Sequence, residues 1–339
     1  MDKPGYNFVD ATFGFFQAIG RRPGAVLWIA LWHLILYGAL TAAIIALMVP
    51  FITVIASTAS QGGEPDPAQL LRALSGFIGG YFLALFGFLL AALVVQGAWL
   101  RLLARDEVAR VIPLRFGGDE LRLLVVNAAF IVFNLLGWGA VFLVFALLNA
   151  GLIAAISNGG DPSVGAAIGG GLVNVLLGLV VGVAAVILML RFAAAPALSV
   201  RLKAIKLFDS FPATKGVAAW MFVSYAVLIG GYLIGATIVA VIQQIVVLLA
   251  AADLLPTLAA LENTEDPQVV LQVLGEAVLQ PSVLIAFGVV IVFQMLLQIL
   301  FEGSWHGVGA YVARRQAGDY PGDAVETPSA SVGDRPGEG

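Results

Sequence analysis

Asp266 to Arg315 reads DPQVVLQVLGEAVLQPSVLIAFGVVIVFQMLLQILFEGSWHGVGAYVARR. Its first two residues are a helix start, an Asp able to cap and a Pro suited to the first turn. An amphipathic turn follows and ends at Glu276. Ala277 to Phe301 then holds 25 residues without a charge. At about 1.5 Å per residue such a helix crosses a hydrocarbon core of ~30 Å. The stretch closes on Glu302-Gly303-Ser304-Trp305 and Arg314-Arg315. The same design occurs twice earlier, from Asp66-Pro67 to Arg105 and from Asp161-Pro162 to Lys206.

Working outward, the 339 residues are 60% hydrophobic and 11% charged, against about 25% charged in an ordinary soluble domain. Lipid offers no partner to the edge of an open sheet, and a barrel would show short alternating strands. The composition therefore predicts an all-α, polytopic membrane protein. There is no cysteine, so no disulfide framework or thiolate site forms, and two histidines do not support a multi-histidine metal centre. No metal and no cofactor is expected.

Charge sets the expected topology. Sixteen of the 17 Lys and Arg fall at the N-terminus, in two loops, or at the C-terminus. The alternate loops hold only Arg72 against eight acids, among them Glu64, Asp66, Asp161 and Asp266. The positive-inside bias then gives six spans with both termini cytoplasmic, which in a bacterium means the inner membrane.

The uncharged runs alternate in length: 41, 28, 38, 29, 37 and 25 residues. Asp-Pro occurs at 66, 161 and 266 and nowhere else, each time before an even-numbered span. Gln96-Gly97-Ala98-Trp99 and Glu302-Gly303-Ser304-Trp305 hold matching places in the first and third units. The second unit has Arg191 there instead. These coincidences predict three parallel two-helix repeats, at about 10–105, 106–206 and 207–316. Mitochondrial carriers share only that architecture, and their charged Pro-containing signature is absent.

Residues 1–22 do not read as a signal peptide, because Arg21-Arg22 follow the aromatic stretch rather than precede it. With Asp10 as a cap, they predict a short interfacial helix on the cytoplasmic leaflet; a frayed end is the alternative. The run Pro23 to Gly63 is too long for one span, and a break is expected near Pro50. Asp119 is expected to cap the third span after the turn Phe116-Gly117-Gly118. Leu207, Phe208 and Phe211 should rest the second basic loop on headgroups. Residues 317–339, rich in Gly, Pro, Ser and acid, should be disordered.

Gln294, Gln298, Glu302 and His306 recur every four residues on one face of the sixth span. They are candidate cavity-lining residues, with Glu302 or His306 handling a proton or cation. The alternative is helix-to-helix hydrogen bonding, which is common in membranes. Arg101 and Arg191 end the other two even spans and are candidate charge partners for Glu302; snorkelling to phosphate is the alternative. Asn127, Asn134, Asn174, Gln243 and Gln244 are further polar groups within spans. Gly80, Gly178, Gly182, Gly231 and Gly235 should mark close helix contacts. Trp28, Trp32, Trp99, Trp220 and Trp305 fit an interfacial belt. No nucleophile, metal or nucleotide motif appears, so no catalytic residue is assigned and no enzyme is expected. Acids balance the basic loops, so nucleic acid is not an expected partner.

Arg191-Phe192-Ala193-Ala194-Ala195-Pro196-Ala197, with Asp209-Ser210-Phe211-Pro212-Ala213-Thr214-Lys215-Gly216 and Trp220, resembles a stretch in one bacterial group. These are six-span membrane proteins related to the membrane domain of glycerophosphoryl diester phosphodiesterases. Leu114 to Arg122 is similar to a loop in their alphaproteobacterial members. The resemblance implies fold and location; the hydrolase domain has no counterpart here, so none of its catalytic residues carries over. Two functions are expected. One is binding or translocation of an apolar or amphiphilic solute, lipid included. The other is a non-catalytic scaffold of an envelope complex.

The cysteine-free chain makes the topology testable with a membrane-impermeant maleimide on intact cells. Asn158→Cys should label and Ser331→Cys should label only after lysis; the reverse pattern refutes the orientation.

Overall fold

The computed structural model describes residues 5–60, 66–157, 164–261 and 280–318. Among these the chain is helical, with turns and short loops between helices. The order is α1 (Phe8–Arg21), α2 (Pro23–Ser60), α3 (Pro67–Arg105), α4 (Gly118–Ser157), α5 (Val164–Phe192), α6 (Ala195–Arg201), α7 (Ser210–Thr214), α8 (Ala218–Leu261) and α9 (Pro281–Ala317). Six segments are long and apolar enough to cross a membrane: Pro23–Pro50, Pro67–Arg105, Gly118–Leu147, Gly171–Arg201, Ala218–Ala250 and Pro281–Ala317. The chain is a multi-pass membrane protein. Leu83, Leu135, Phe142 and Leu176 on the outer faces are exposed, as lipid-facing side chains should be. Asp161-Pro162, Asp266-Pro267, Glu276 and residues 319–339 lie outside the described residues. Asp66-Pro67 lies inside them: Asp66 accepts from the Ala68 N–H at 3.0 Å, and Pro67 opens α3.

Three expectations need correction. α2 does not break at Pro50 but continues as one helix to Ser60. Pro50 removes one N–H, and a helix tolerates that locally; Thr53 Oγ1 donates to the Val49 carbonyl alongside it, at 2.8 Å. The cap of α1 is Asn7, whose side chain accepts from the Val9 and Asp10 N–H groups. Asp10 sits in the first turn, where a carboxylate favours the helix dipole. Asp119 does not cap α4 either. Its carboxylate takes Arg105 at 2.6 Å and Arg122 at 2.8 Å.

Nor does α1 lie wholly on the surface. Ala11, Thr12, Phe15 and Ala18 are buried, while Val9, Phe13 and Phe16 stay exposed on the other face. Thr12 Oγ1 donates to Ser224 Oγ of α8 at 2.9 Å, and the Tyr6 hydroxyl lies 2.9 Å from the same oxygen. The Asn7 N–H donates to the Tyr311 hydroxyl of α9 at 2.8 Å. Burial pushes the Tyr6 phenol up to about 12. Phe15 packs edge-to-face on Trp99, ring centroids 5.4 Å apart. Gly303 is where α9 admits it: a Cβ there would collide with the Phe15 ring. Trp99 is thus a core residue and not part of a lipid-facing belt.

Among the long helices α2 packs closely on α3 and α8 on α9, while α4 makes lighter contact with both α3 and α5. Leu47 of α2 fits against Gly80 and Leu297 of α9 against Gly235, each where a Cβ would crowd it. Gly178 has ordinary contact with Phe145, while Gly182 and Gly231 face open space; the close-contact expectation fails at those two. Asn149 and Asn174 exchange amide hydrogen bonds of 3.1 and 2.9 Å between α4 and α5.

The core gathers where the arginine-bearing helix ends meet. Arg101 and Glu120 form an ion pair with both side chains almost fully buried, and a Cβ at Gly97 would strike that carboxylate. Arg101 also donates to the Pro113 carbonyl at 3.1 Å, and Arg105 to that of Val200 at 2.9 Å. Arg201 donates to the Ala104 carbonyl. These bonds join the end of α3, the loop after it, the start of α4 and the end of α6.

Removing one member of a buried pair strands the other, at about 3–5 kcal/mol. Glu120→Ala should therefore lower the unfolding midpoint sharply in detergent. Arg22→Ala, which breaks the half-exposed 2.7 Å pair with Asp106, should cost only about 0–1 kcal/mol. Equal losses would contradict this account of the core.

Candidate functional site

A half-open cavity of about 660 Å³ lies within the bundle beside this core. Its walls come from α3 (Gln96, Leu100), α4 (Asn127, Phe130, Asn134), α5 (Met189, Leu190), the turn into α6 (Ala193, Pro196), α8 (Phe222, Tyr225, Ile229) and α9 (Trp305, His306, Gly309). Helix pairing sets this placement. α2–α3 and α8–α9 nest through glycine contacts, and the membrane faces of α4 and α5 remain largely unburied. The space lies where α4 and α5 stand against α3, α8 and α9.

Most of the lining is aliphatic or aromatic. Asn127 Nδ2 donates to Gln96 Oε1 at 2.7 Å across α4 and α3. Asn134 Nδ2 donates to its own helix, to the Phe130 carbonyl at 2.8 Å. Trp305 packs on Tyr225, ring centroids 4.3 Å apart. Such a wall suits an apolar molecule with one hydrogen-bonding end.

Behind the cavity, Glu302 stands between both histidines of the chain. His306 Nε2 lies 3.7 Å from Glu302 Oε1, one turn along α9. His33 Nε2 of α2 lies 3.8 Å from Glu302 Oε2. The His33 ring is buried and lies against Tyr37, ring centroids 4.7 Å apart and planes tilted by 49°, and its Nδ1 makes no hydrogen bond. The imidazoles address different carboxylate oxygens, at distances too long for good hydrogen bonds. Among the described residues no group of three His, Asp or Glu could hold a metal ion. The arrangement sets one carboxylate between two imidazoles, with His306 at the cavity wall.

The predicted polar stripe therefore divides. His306 lines the cavity and Glu302 sits behind it. Gln294 does not reach the cavity; it accepts from Gln243 Nε2 of α8 at 3.2 Å, which is helix-to-helix bonding. Gln298 is exposed on α9 and is also outside the lining. Arg101 is no partner of Glu302, since Glu120, Asp119 and the Pro113 carbonyl take its guanidinium. Arg191 donates instead to the Phe211 carbonyl at 3.5 Å. The phenylalanine side chain of that residue packs edge-on to Phe192 at 4.8 Å, so the second basic loop rests partly on protein; Phe208 stays exposed.

His33 was missed by following one helix face at a time. The available signal was an ionisable residue alone in an uncharged run, which marks a functional position in a membrane. Asn127 was legible only as a polar residue within a span and Gln96 only as part of the Gln96-Gly97-Ala98-Trp99 motif; that they meet is set by packing.

The two imidazoles should react with diethylpyrocarbonate at distinct rates, His306 fast through the cavity and His33 slow. His306→Gln should remove the fast phase of the absorbance change, and a single shared rate would refute the placement. No family model, no curated protein and no solved structure matches the chain.

Proposed function

We propose that the protein binds an amphiphilic solute, lipid included, in this cavity and moves it between the bilayer and the bundle. The observation that carries the reading is the cavity itself, framed by residues of α3, α4, α5, α8 and α9. About 660 Å³ is within the range of small-molecule sites. It is too small for a whole two-chain lipid, so a head and part of a chain would enter while the rest stayed in the bilayer. The reading is of a binding and transport protein and not an enzyme. Among the described residues Glu302 pairs with two imidazoles.

The same reading includes three parallel repeats around an axis through the bundle. Head-to-tail contacts at the helix ends support it. The end of α3 meets Glu120 of the second unit, at Gly97 and Arg101. Arg191 at the end of α5 meets Phe211 of the third. Gly303 near the end of α9 meets Phe15 of the first, which closes the ring. In this arrangement the arginine-rich end faces the cytoplasm of a bacterial inner membrane, as the positive-inside bias requires. The likeness to the membrane domain of glycerophosphoryl diester phosphodiesterases belongs to this proposal too.

The test fills the cavity. Protein purified in mild detergent should retain a co-purifying amphiphile detectable by mass spectrometry. Ala226→Trp, which places an indole in the space, should reduce retention at least about tenfold, equivalent to ~1.4 kcal/mol of binding. Unchanged retention in a folded variant would rule the cavity out as the binding site.

A further inference from the structure

The charges around the cavity restrict what head group it can hold, given the binding reading above. Arg101 is committed to Glu120 and the Pro113 carbonyl, and Arg105 to Asp119 and the Val200 carbonyl. Arg191 reaches the Phe211 carbonyl and Arg201 the Ala104 carbonyl. None of these four guanidinium groups lines the space. The lining residues that can ionise are His306 and Tyr225. A proton on His306 faces the Glu302 carboxylate at 3.7 Å, so the pair adds no net positive charge to the wall. His33, on the far side of the same carboxylate, and Tyr37 tilted against it are the other titratable groups of the cluster.

The wall instead offers amides. The bond from Asn127 to Gln96 uses the Gln96 carbonyl oxygen and one Asn127 N–H. That leaves the Gln96 NH₂ as a donor and the Asn127 carbonyl oxygen as an acceptor among the lining residues. Asn134 spends an N–H on Phe130 and keeps its own carbonyl oxygen. A hydroxyl, which donates and accepts, matches this pattern. A phosphate or carboxylate entering here would lose its hydration without gaining a counter-ion, which is the costly case.

We propose that the cavity selects an uncharged amphiphile with a hydroxyl-bearing head, of the monohydroxy glycerolipid or long-chain alcohol class, and rejects phospholipids. The Gln96–Asn127 pair reads the head group, and the Phe130, Phe222 and Ile229 surfaces take the chain.

The test uses the full chain in nanodiscs and tritiated dioleoylglycerol as probe. Competitors with the same acyl chains are unlabelled dioleoylglycerol, dioleoyl phosphatidic acid and a dioleoyl trimethylammonium lipid. Dioleoylglycerol should compete at least about tenfold better than either charged lipid. Gln96→Leu and Asn127→Leu should each weaken its binding about threefold to tenfold, as expected for a lost neutral hydrogen bond. Asn127→Asp, which puts a carboxylate in the wall, should shift preference toward the cationic lipid and so serves if the leucine variants fold poorly. Equal or better competition by phosphatidic acid overturns the inference while leaving the binding reading in place. If none of the three lipids binds, the binding reading falls and this inference with it.

Discussion

Lipid chains are as apolar as leucine, so burying one helix against another inside a bilayer gains little from the hydrophobic effect. Association depends on close backbone approach and on polar groups that need partners. This constraint explains where the core lies. Where helix ends carry arginine, every guanidinium must find an oxygen, and the oxygens come from neighbouring elements: Glu120, Pro113, Asp119 and Val200. The tightest packing surrounds those bonds, with Trp99, Leu123, Val200 and Val308 almost wholly enclosed. Farther along the spans contacts thin to Leu47 on Gly80, Leu297 on Gly235 and single amide pairs. A bundle tight at one end and loose along its length has room for a cavity just beyond the tight zone, and the cavity is there.

Much of this was legible in the chain. Uncharged runs and the placement of Arg and Lys mark six helices and their ends, because hydrocarbon penalises charge whatever the fold. Local rules worked where the partner is local: Asp66 caps α3 because its acceptor and the Ala68 N–H are two residues apart. The same rules erred where a distant group competed. Asp119 has the composition of a cap, but two arginines outbid the helix N–H groups for its oxygens. Pro50 looks like a break, yet in a membrane a broken helix would expose more carbonyls and N–H groups than the proline removes.

The candidate site was less legible because its residues lie on different helices. Four-residue spacing put Gln294, Gln298, Glu302 and His306 on one face, but a face says nothing about which neighbour it meets at each level. Gln294 meets Gln243, Glu302 meets His33, and His306 meets the cavity. Helix-to-helix bonding and cavity lining, posed as alternatives for the whole stripe, hold at different heights of one helix. α1 was the larger omission. Its aromatics suggested lipid contact, and Val9, Phe13 and Phe16 remain free for it. Phe15, between them, faces the opposite way, into Gly303 and Trp99.

The position of Glu302 carries the argument one step further. A carboxylate within a span is costly unless it is paired, and the usual remedy is a fixed cation. Two arginines end neighbouring spans, yet both are used elsewhere. Glu302 has two imidazoles instead, which are cations only when they hold a proton. Stability of the carboxylate at this depth is thereby tied to proton occupancy in a way that arginine would not permit. The 3.7 and 3.8 Å separations leave each imidazole short of a full hydrogen bond. His306 also borders the cavity, so whatever occupies that space lies against the same cluster. His306 thereby joins the cost of holding a charge within a span to one side of the cavity wall.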